Sequence, residues 1–256
     1  MDKKWLEEQT EAVGSALAAQ GIRLAVPVGG DKREYAFREK PDAKRLAAVI
    51  DHTLLKPAAS RRDIEKLCQE ARRYGFATVC INPVHVALAA ELLRGSDVKV
   101  CTVVGFPLGA ATTLTKVWET RDALAAGAGE IDMVINIGSL VEGDYARVYA
   151  DLTAVREAAA EKVLKVILET GLLTKEQIVR GSILTKMAGA DFVKTSTGFG
   201  PGGATVEDVT LMREVVGVGF GVKAAGGIRD YDTAVAMLRA GANRIGASAG
   251  IDIVHG

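Results

Sequence analysis

The chain is 256 residues long, with 48% hydrophobic, 25% charged and 5% aromatic residues, and its 32 basic side chains balance 32 acidic ones. The apolar content excludes a disordered chain, while zero formal charge and few aromatics argue against the cationic face or stacking platform of a nucleic-acid binder. A chain of this length can bury roughly 75% of its unfolded surface, enough for one large domain, and a small molecule is the expected partner.

At the N-terminus, Met1-Asp2-Lys3-Lys4-Trp5-Leu6-Glu7-Glu8 lacks the apolar core of a secretory signal, and no apolar run reaches the roughly 18 residues of a membrane span. A cytoplasmic protein without a membrane partner is expected. Trp5, Ala12, Val13, Ala16 and Leu17 recur at helical spacing, which predicts a helix from about Lys3 to Gln20 within an extension of residues 1–40. This helix is expected to cover one end of the domain that follows, with a partner-binding arm as the alternative.

Beyond residue 40, short runs rich in Val and Ile alternate with longer stretches of helical periodicity, the pattern of repeated βα units. Eight runs are found: Ala48–His52, Thr78–Asn82, Val98–Gly105, Glu130–Asn136, Val163–Glu169, Asp191–Ser196, Gly219–Ala225 and Asn243–Ser248. The seventh is the weakest, because only Phe220 and Val222 in it are bulky and apolar. Asp51, Cys80, Thr102, Asp132, Lys165, Lys194, Lys223 and Ser248 stand at comparable points, 22 to 33 residues apart. That spacing suits one strand, one helix and two short loops. Ser60 and Gly75 mark the ends of one helix, Thr174 with Gln177 forms a capping box closed by Gly189, and Thr205 and Asp230 begin two more. A period that runs through eight parallel strands without a switch fits a closed (β/α)8 TIM barrel over residues 41–256 better than an open sheet. Only eight residues follow Ser248, so the N-terminal helix is expected to fill the place of a full eighth helix.

Charges appear where barrel strands should be apolar. Alternation puts Asp132, Val134 and Asn136 on one face and Ile131, Met133 and Ile135 on the other, so Asp132 points inward. The same alternation sets Lys194 opposite Val193, Lys223 opposite Val222, and Lys165 on one face with Glu169. A single strand-end lysine can snorkel to water or pair with a carboxylate. Lys194 and Lys223 on adjacent strands are harder to explain that way, because like charges in a confined space are costly.

An amine attacks a carbonyl only when neutral, and an ordinary lysine has a pKa of about 10.4. Lowering it to about 7 takes roughly 4.6 kcal/mol. A second ammonium about 4 Å away contributes around 4 kcal/mol at an effective dielectric of 20, and desolvation can supply the rest. One lysine of the pair is therefore a candidate Schiff-base nucleophile and the other its perturbing cation, with Asp132 available for proton transfer. Spacing leaves open which is which.

Ala224-Ala225-Gly226-Gly227 after the seventh strand and Gly246-Ala247-Ser248-Ala249-Gly250 after the eighth occupy the usual phosphate-binding position of such barrels. Small residues let backbone N–H groups approach anionic oxygens. Gly198-Phe199-Gly200-Pro201-Gly202-Gly203, after the sixth strand, is placed to join them. Cys68, Cys80 and Cys101 are an odd number without metal-ligand spacing and read as buried thiols in a reducing compartment. His52, His85 and His255 are scattered, so neither a metal nor another cofactor is expected.

From about Pro41 to Ile253 the chain resembles the deoxyribose-phosphate aldolases, class I aldolases of the barrel fold. Seven motifs in order carry the resemblance: Ile50-Asp51-His52-Thr53-Leu54-Leu55-Lys56, Val79-Cys80-Ile81-Asn82-Pro83, Val104-Gly105-Phe106-Pro107-Leu108-Gly109, Glu130-Ile131-Asp132-Met133-Val134, Leu164-Lys165-Val166-Ile167-Leu168-Glu169-Thr170-Gly171, Phe192-Val193-Lys194-Thr195-Ser196-Thr197-Gly198 and Lys223-Ala224-Ala225-Gly226-Gly227. The resemblance implies that Lys194 is the Schiff-base lysine, Lys223 the lysine that depresses its pKa, and Asp132 the proton-relay carboxylate. It also implies that Asp51, Thr53, Cys80, Lys165 and Thr197 surround the substrate, and that Gly198, Gly226, Gly227 and Ser248 hold its phosphate. Two departures bear on phosphate affinity and proton transfer: Ala249 stands where some members have a second serine, and the chain ends Val254-His255-Gly256 without their terminal tyrosine. The implied reaction is a carbon–carbon lyase reaction, reversible cleavage of 2-deoxy-D-ribose 5-phosphate to acetaldehyde and D-glyceraldehyde 3-phosphate, without cofactor. A homo-oligomer is expected. Rival readings are a Schiff-base aldolase for another sugar phosphate, a barrel enzyme whose lysines only hold a phosphate, and a silent binding protein.

Overall fold

A computed structural model of the chain describes residues 2–22 and 40–256; the part of the expected extension at 23–39 lies outside the described residues. Eight strands, β1 (Ile50–Leu54), β2 (Thr78–Ile81), β3 (Lys99–Val104), β4 (Glu130–Val134), β5 (Val163–Ile167), β6 (Phe192–Lys194), β7 (Gly221–Ala225) and β8 (Arg244–Ala247), pair parallel in chain order, and β8 closes on β1. Seven of the eight expected runs contain one strand each, and the first, Ala48–His52, overlaps β1, which continues to Leu54. The strands are buried on both faces, which is why they read as nearly continuous apolar runs. The weak seventh run is a strand because Gly221 leaves room for its neighbour: a Cβ there would stand 2.3 Å from the Phe192 ring.

The helices are α1 (Lys3–Ala19), α2 (Ala43–Ala47), α3 (Arg61–Tyr74), α4 (Val86–Leu92), α5 (Thr113–Ala125), α6 (Ile137–Glu142), α7 (Tyr145–Ala159), α8 (Lys175–Met187), α9 (Val206–Val216), α10 (Tyr231–Ala240) and α11 (Gly250–His255). The expected caps are found: Ser60 and Asp63 form a capping box on α3, Thr174 and Gln177 one on α8, and the side chains of Thr205 and Asp230 accept the N–H of Asp208 and Thr233. Val79, Ile81, Ile131, Met133, Val166, Val193, Val222 and Ile245 point outward from the strands and pack beneath the helices as one continuous apolar layer.

Two expectations are corrected. Helix α1 does not cover a barrel end or the place of the eighth helix; it lies on the outer layer against α7 and α8. Leu6, Val13 and Leu17 are buried there, and Gln9 accepts a hydrogen bond from Arg180 Nε at 2.8 Å. The eighth position is closed by the short α11, which packs on β1, α2 and α10. Thr102 also faces the helices rather than the interior: it pairs in register with Ile131 and donates its hydroxyl to Ile81 O at 2.8 Å. The inward residues of β3 are Cys101 and Val103, one step out of phase with the period read from the sequence.

A buried ion pair fixes α5 and α7 to the end of β4. Lys116 Nζ lies 2.6 Å from Asp151 Oδ2 and donates to Val134 O at 3.0 Å, and Thr113 donates to Asp151 Oδ1 at 2.8 Å. Removing one partner of such a pair leaves an uncompensated buried charge. Asp151→Ala is accordingly expected to lower stability by about 3–5 kcal/mol in urea denaturation. A change of only about 0.5 kcal/mol, as for a surface substitution, would contradict this role.

Candidate active site

Inside the barrel, strands β1, β4, β5, β6, β7 and β8 contribute charge, whereas β2 and β3 contribute Cys80, Cys101 and Val103, which pack with Leu55 and Phe106 into a small apolar cluster. Strand register explains the meeting of the charges: Asp132 pairs with Lys165, Lys194 with Lys223, and Lys223 with Arg244. Side chains at these positions share the inner face.

Asp132 is the hub. Its Oδ2 accepts from Lys194 Nζ and from Lys223 Nζ, each at 2.7 Å, and its Oδ1 accepts from Lys165 Nζ at 2.9 Å and from the Cys101 thiol at 3.2 Å. Lys223 is also ion-paired to Asp51 Oδ2. Lys165 reaches Glu130 at 2.5 Å and Asp51 at 3.8 Å, and Arg244 reaches Asp51 at 2.7 Å and Glu130 at 3.3 Å. Four cations thus face three carboxylates, leaving one surplus positive charge among the described residues.

Burial alone would push the Asp132 and Asp51 carboxyls up. The lysines overcome it: Lys165, Lys194 and Lys223 hold Asp132 well below the usual carboxylate range, and Lys223, Lys165 and Arg244 do the same for Asp51. Burial would lower Lys223 and Lys165, but the facing carboxylates, Asp132 foremost, raise both above the ordinary lysine value. The expectation of two lysines crowded against each other is therefore revised. Lys223 is no bare ammonium beside Lys194, since the same Asp132 oxygen touches both and Asp51 adds a second counter-charge.

Above this network opens a cavity of about 270 Å³ at the C-terminal ends of β1, β6, β7 and β8, the face on which such barrels carry their sites. Of the sequence-predicted residues, Thr53, Lys194, Thr197, Gly198, Gly226, Gly227 and Ser248 line it. Asp51, Cys80, Asp132, Lys165 and Lys223 lie buried beneath its floor instead. Lys194 is the only one of the three lysines to reach the cavity, and Asp132 is its only ion-pair partner among the described residues. Gly198, Gly226 and Gly227 have φ of 83°, 90° and 80°, a left-handed backbone that glycine adopts without steric cost. Their N–H groups have no acceptor among the described residues, which leaves them free for an anion.

Several residues escaped sequence reasoning. Lys56 and Arg229 line the cavity beside the glycines; their place just after β1 and β7 is the signal that would have found them. Glu130, Arg244 and Cys101 belong to the buried network; period-two alternation from Asp132 and from Ser248 is the signal that would have found Glu130 and Arg244, whereas Cys101 was hidden by the phase assigned to β3. Glu169, expected on the inner face with Lys165, instead turns aside at φ 60° and ψ 61°. The ligand atoms of Cys80, Cys101 and Asp132 lie within 4.8 Å of one another, a grouping that sequence spacing did not suggest. Three ammonium groups already occupy Asp132, so a metal cation would enter against like charge.

The sequence model described as "DeoC/LacD family aldolase" matches residues 45–256. A deoxyribose-phosphate aldolase of Brevibacillus brevis is 61% identical over 207 residues, 81% of this chain and 94% of that one. One of Clostridium perfringens is 60% identical over 216 residues, 84% of this chain and 96% of that one. Among solved structures, the deoxyribose phosphate aldolase of Aeropyrum pernix, described as tetrameric, superposes with a TM-score of 0.77 at 36% identity, covering 84% of this chain and 91% of its own. With this match over most of its length, and a lysine-floored cavity at the C-terminal face of its barrel, the chain belongs to the DeoC/LacD family of aldolases.

Proposed function

We propose that the chain is a deoxyribose-phosphate aldolase that cleaves 2-deoxy-D-ribose 5-phosphate reversibly to acetaldehyde and D-glyceraldehyde 3-phosphate through a Schiff base on Lys194. The observation that carries this assignment of roles is that Lys194 alone of the three lysines reaches the cavity while holding a single carboxylate partner. Among the four cations that face three carboxylates, Lys194 is the amine with the fewest counter-charges.

Neutral Lys194 attacks the aldehyde carbon of the open-chain sugar, and loss of water forms an iminium. When the bond between the second and third carbons breaks, its electron pair moves into the iminium and forms an enamine. The proton of the third-carbon hydroxyl leaves as D-glyceraldehyde 3-phosphate departs. Asp132, in contact with both Lys194 and Lys223, moves protons through water and Lys223. Protonation of the enamine and addition of water release acetaldehyde and restore the amine. The side chains of Thr53 and Thr197 line the part of the cavity that takes the sugar. Asp51, Cys80 and Lys165 act from beneath the floor by holding Lys223 and Asp132 in place. Gly198, Gly226, Gly227 and Ser248 take the phosphate, with Lys56 and Arg229 adding positive charge. The barrel domain spans 41–256 with 1–40 as an extension, and the enzyme works in the cytoplasm as a homo-oligomer.

Borohydride reduction in the presence of acetaldehyde should leave a two-carbon adduct on Lys194, located by peptide mass spectrometry, and Lys194→Ala should abolish both adduct and cleavage. An adduct on Lys223 would reverse the assigned roles, and no adduct together with no triose product would dismiss the aldolase reading.

The charge count predicts opposite effects on the acid limb of the rate profile. Lys223→Leu removes the surplus cation, lowers the rate at neutrality and moves the acid limb up by about 1–3 pH units. Asp51→Asn enlarges the surplus and moves the limb down. Shifts of the same sign in both variants would rule out charge balance as the control.

A further inference from the structure

Glu169 is a buried charged group for which the reaction above has no use. It is 2% exposed and has no ion pair among the described residues. Its backbone lies in the left-handed region that residues with a Cβ seldom occupy. That turn carries its side chain out of the strand alternation and across to the loop after β6. There Oε2 accepts the Thr197 N–H at 3.2 Å and also the Thr197 hydroxyl. Because a carboxylate only accepts, it fixes the direction of that hydroxyl. Thr197 Oγ1 is left with lone pairs, and one of these accepts the Phe199 N–H at 3.0 Å.

The consequence falls on Gly198. Both flanking N–H groups are engaged inward, so Gly198 is the one residue of the turn whose N–H stays available to the cavity. The far end of the same loop is tied to the second anion loop, since Ala204 N–H donates to Gly226 O at 3.0 Å. Gly200 closes over the carboxylate so tightly that a Cβ there would stand 2.7 Å from Glu169 Cδ.

We infer that Glu169 is a positioning residue that orients the Gly198 loop toward an anionic group and so sets the preference of the site for a phosphorylated sugar. The inference rests on the reading of this cavity as the site of a sugar phosphate. A glutamine at 169 has nearly the same shape but can present its amide N–H2 to Thr197 Oγ1. The hydroxyl then accepts from the amide rather than donating, so its direction, and with it the lone pair held toward the Phe199 N–H, is no longer fixed.

The test compares Glu169→Gln with the unaltered chain. The KM for deoxyribose 5-phosphate and the inhibition constant for inorganic phosphate should both rise about 10- to 100-fold, the worth of one hydrogen bond to a charged group. The kcat should stay close to the original, and borohydride trapping of acetaldehyde on Lys194, which involves no anion, should proceed at a similar rate. Gly200→Ala pushes the carboxylate away without touching Thr197 and should give the same split, which keeps the test available if the first variant folds poorly. A fall in kcat with KM and phosphate inhibition unmoved, or a parallel loss of acetaldehyde trapping, would overturn the inference. If the unaltered chain fails to cleave deoxyribose 5-phosphate, the proposed function fails, and calorimetric titration of inorganic phosphate into both proteins still decides the role of Glu169: about 10- to 100-fold weaker binding to the variant supports it, and equal binding overturns it.

Discussion

One carboxylate oxygen holds the interior of this barrel together. Asp132 Oδ2 takes hydrogen bonds from Lys194 and Lys223 at once, while its other oxygen takes Lys165 and Cys101. Placing so many ions out of water is expensive, and the expense is offset only if each has partners of the opposite sign at short range. Asp51, Glu130 and Arg244 complete that pairing, but the pairing is incomplete by one charge. Within this network Lys194 has the fewest counter-ions, Asp132 being its only ion-pair partner among the described residues, and it stands at the cavity floor.

The rest of the architecture serves to keep this network dry and rigid. The outward faces of the strands form the apolar layer beneath the helices, which leaves the inward faces free to be polar. On β2 and β3 the interior is instead lined by Cys80, Cys101 and Val103, a low-dielectric wall against which the charges opposite act at greater strength. Lys194 and the free N–H groups of Gly198, Gly226 and Gly227 come from consecutive strand ends and line one cavity, so under the proposed function a ligand is held at its anionic end and attacked at the other without any movement of the scaffold.

Much of this was legible in the linear order of residues. The eight runs, the caps at Ser60, Thr174, Thr205 and Asp230, and the inward direction of Asp132, Lys194 and Lys223 all follow from period-two and helical spacing. Other features were not, and each for a physical reason. Thr102 and Cys101 are interchangeable to an alternation argument in a strand apolar on both faces, so the phase of β3 came out wrong. Glu169 left the alternation because its backbone turns left-handed just past β5. Helix α1 was given the vacant eighth place on chain length alone, whereas its apolar stripe found a better fit against α7 and α8.

Periodicity and residue type by themselves determined the barrel, its strand order and the convergence of lysines with an acid in its interior. These are local properties, since a side chain's face depends only on its place in its own strand. Closure of the barrel decided the remainder: that Glu130 and Arg244 enter the same network, that Asp132 stands between the two lysines, and that Lys194 and not Lys223 opens to the cavity. Such facts depend on the stagger between strands far apart in the chain, and that stagger is set only when β8 meets β1.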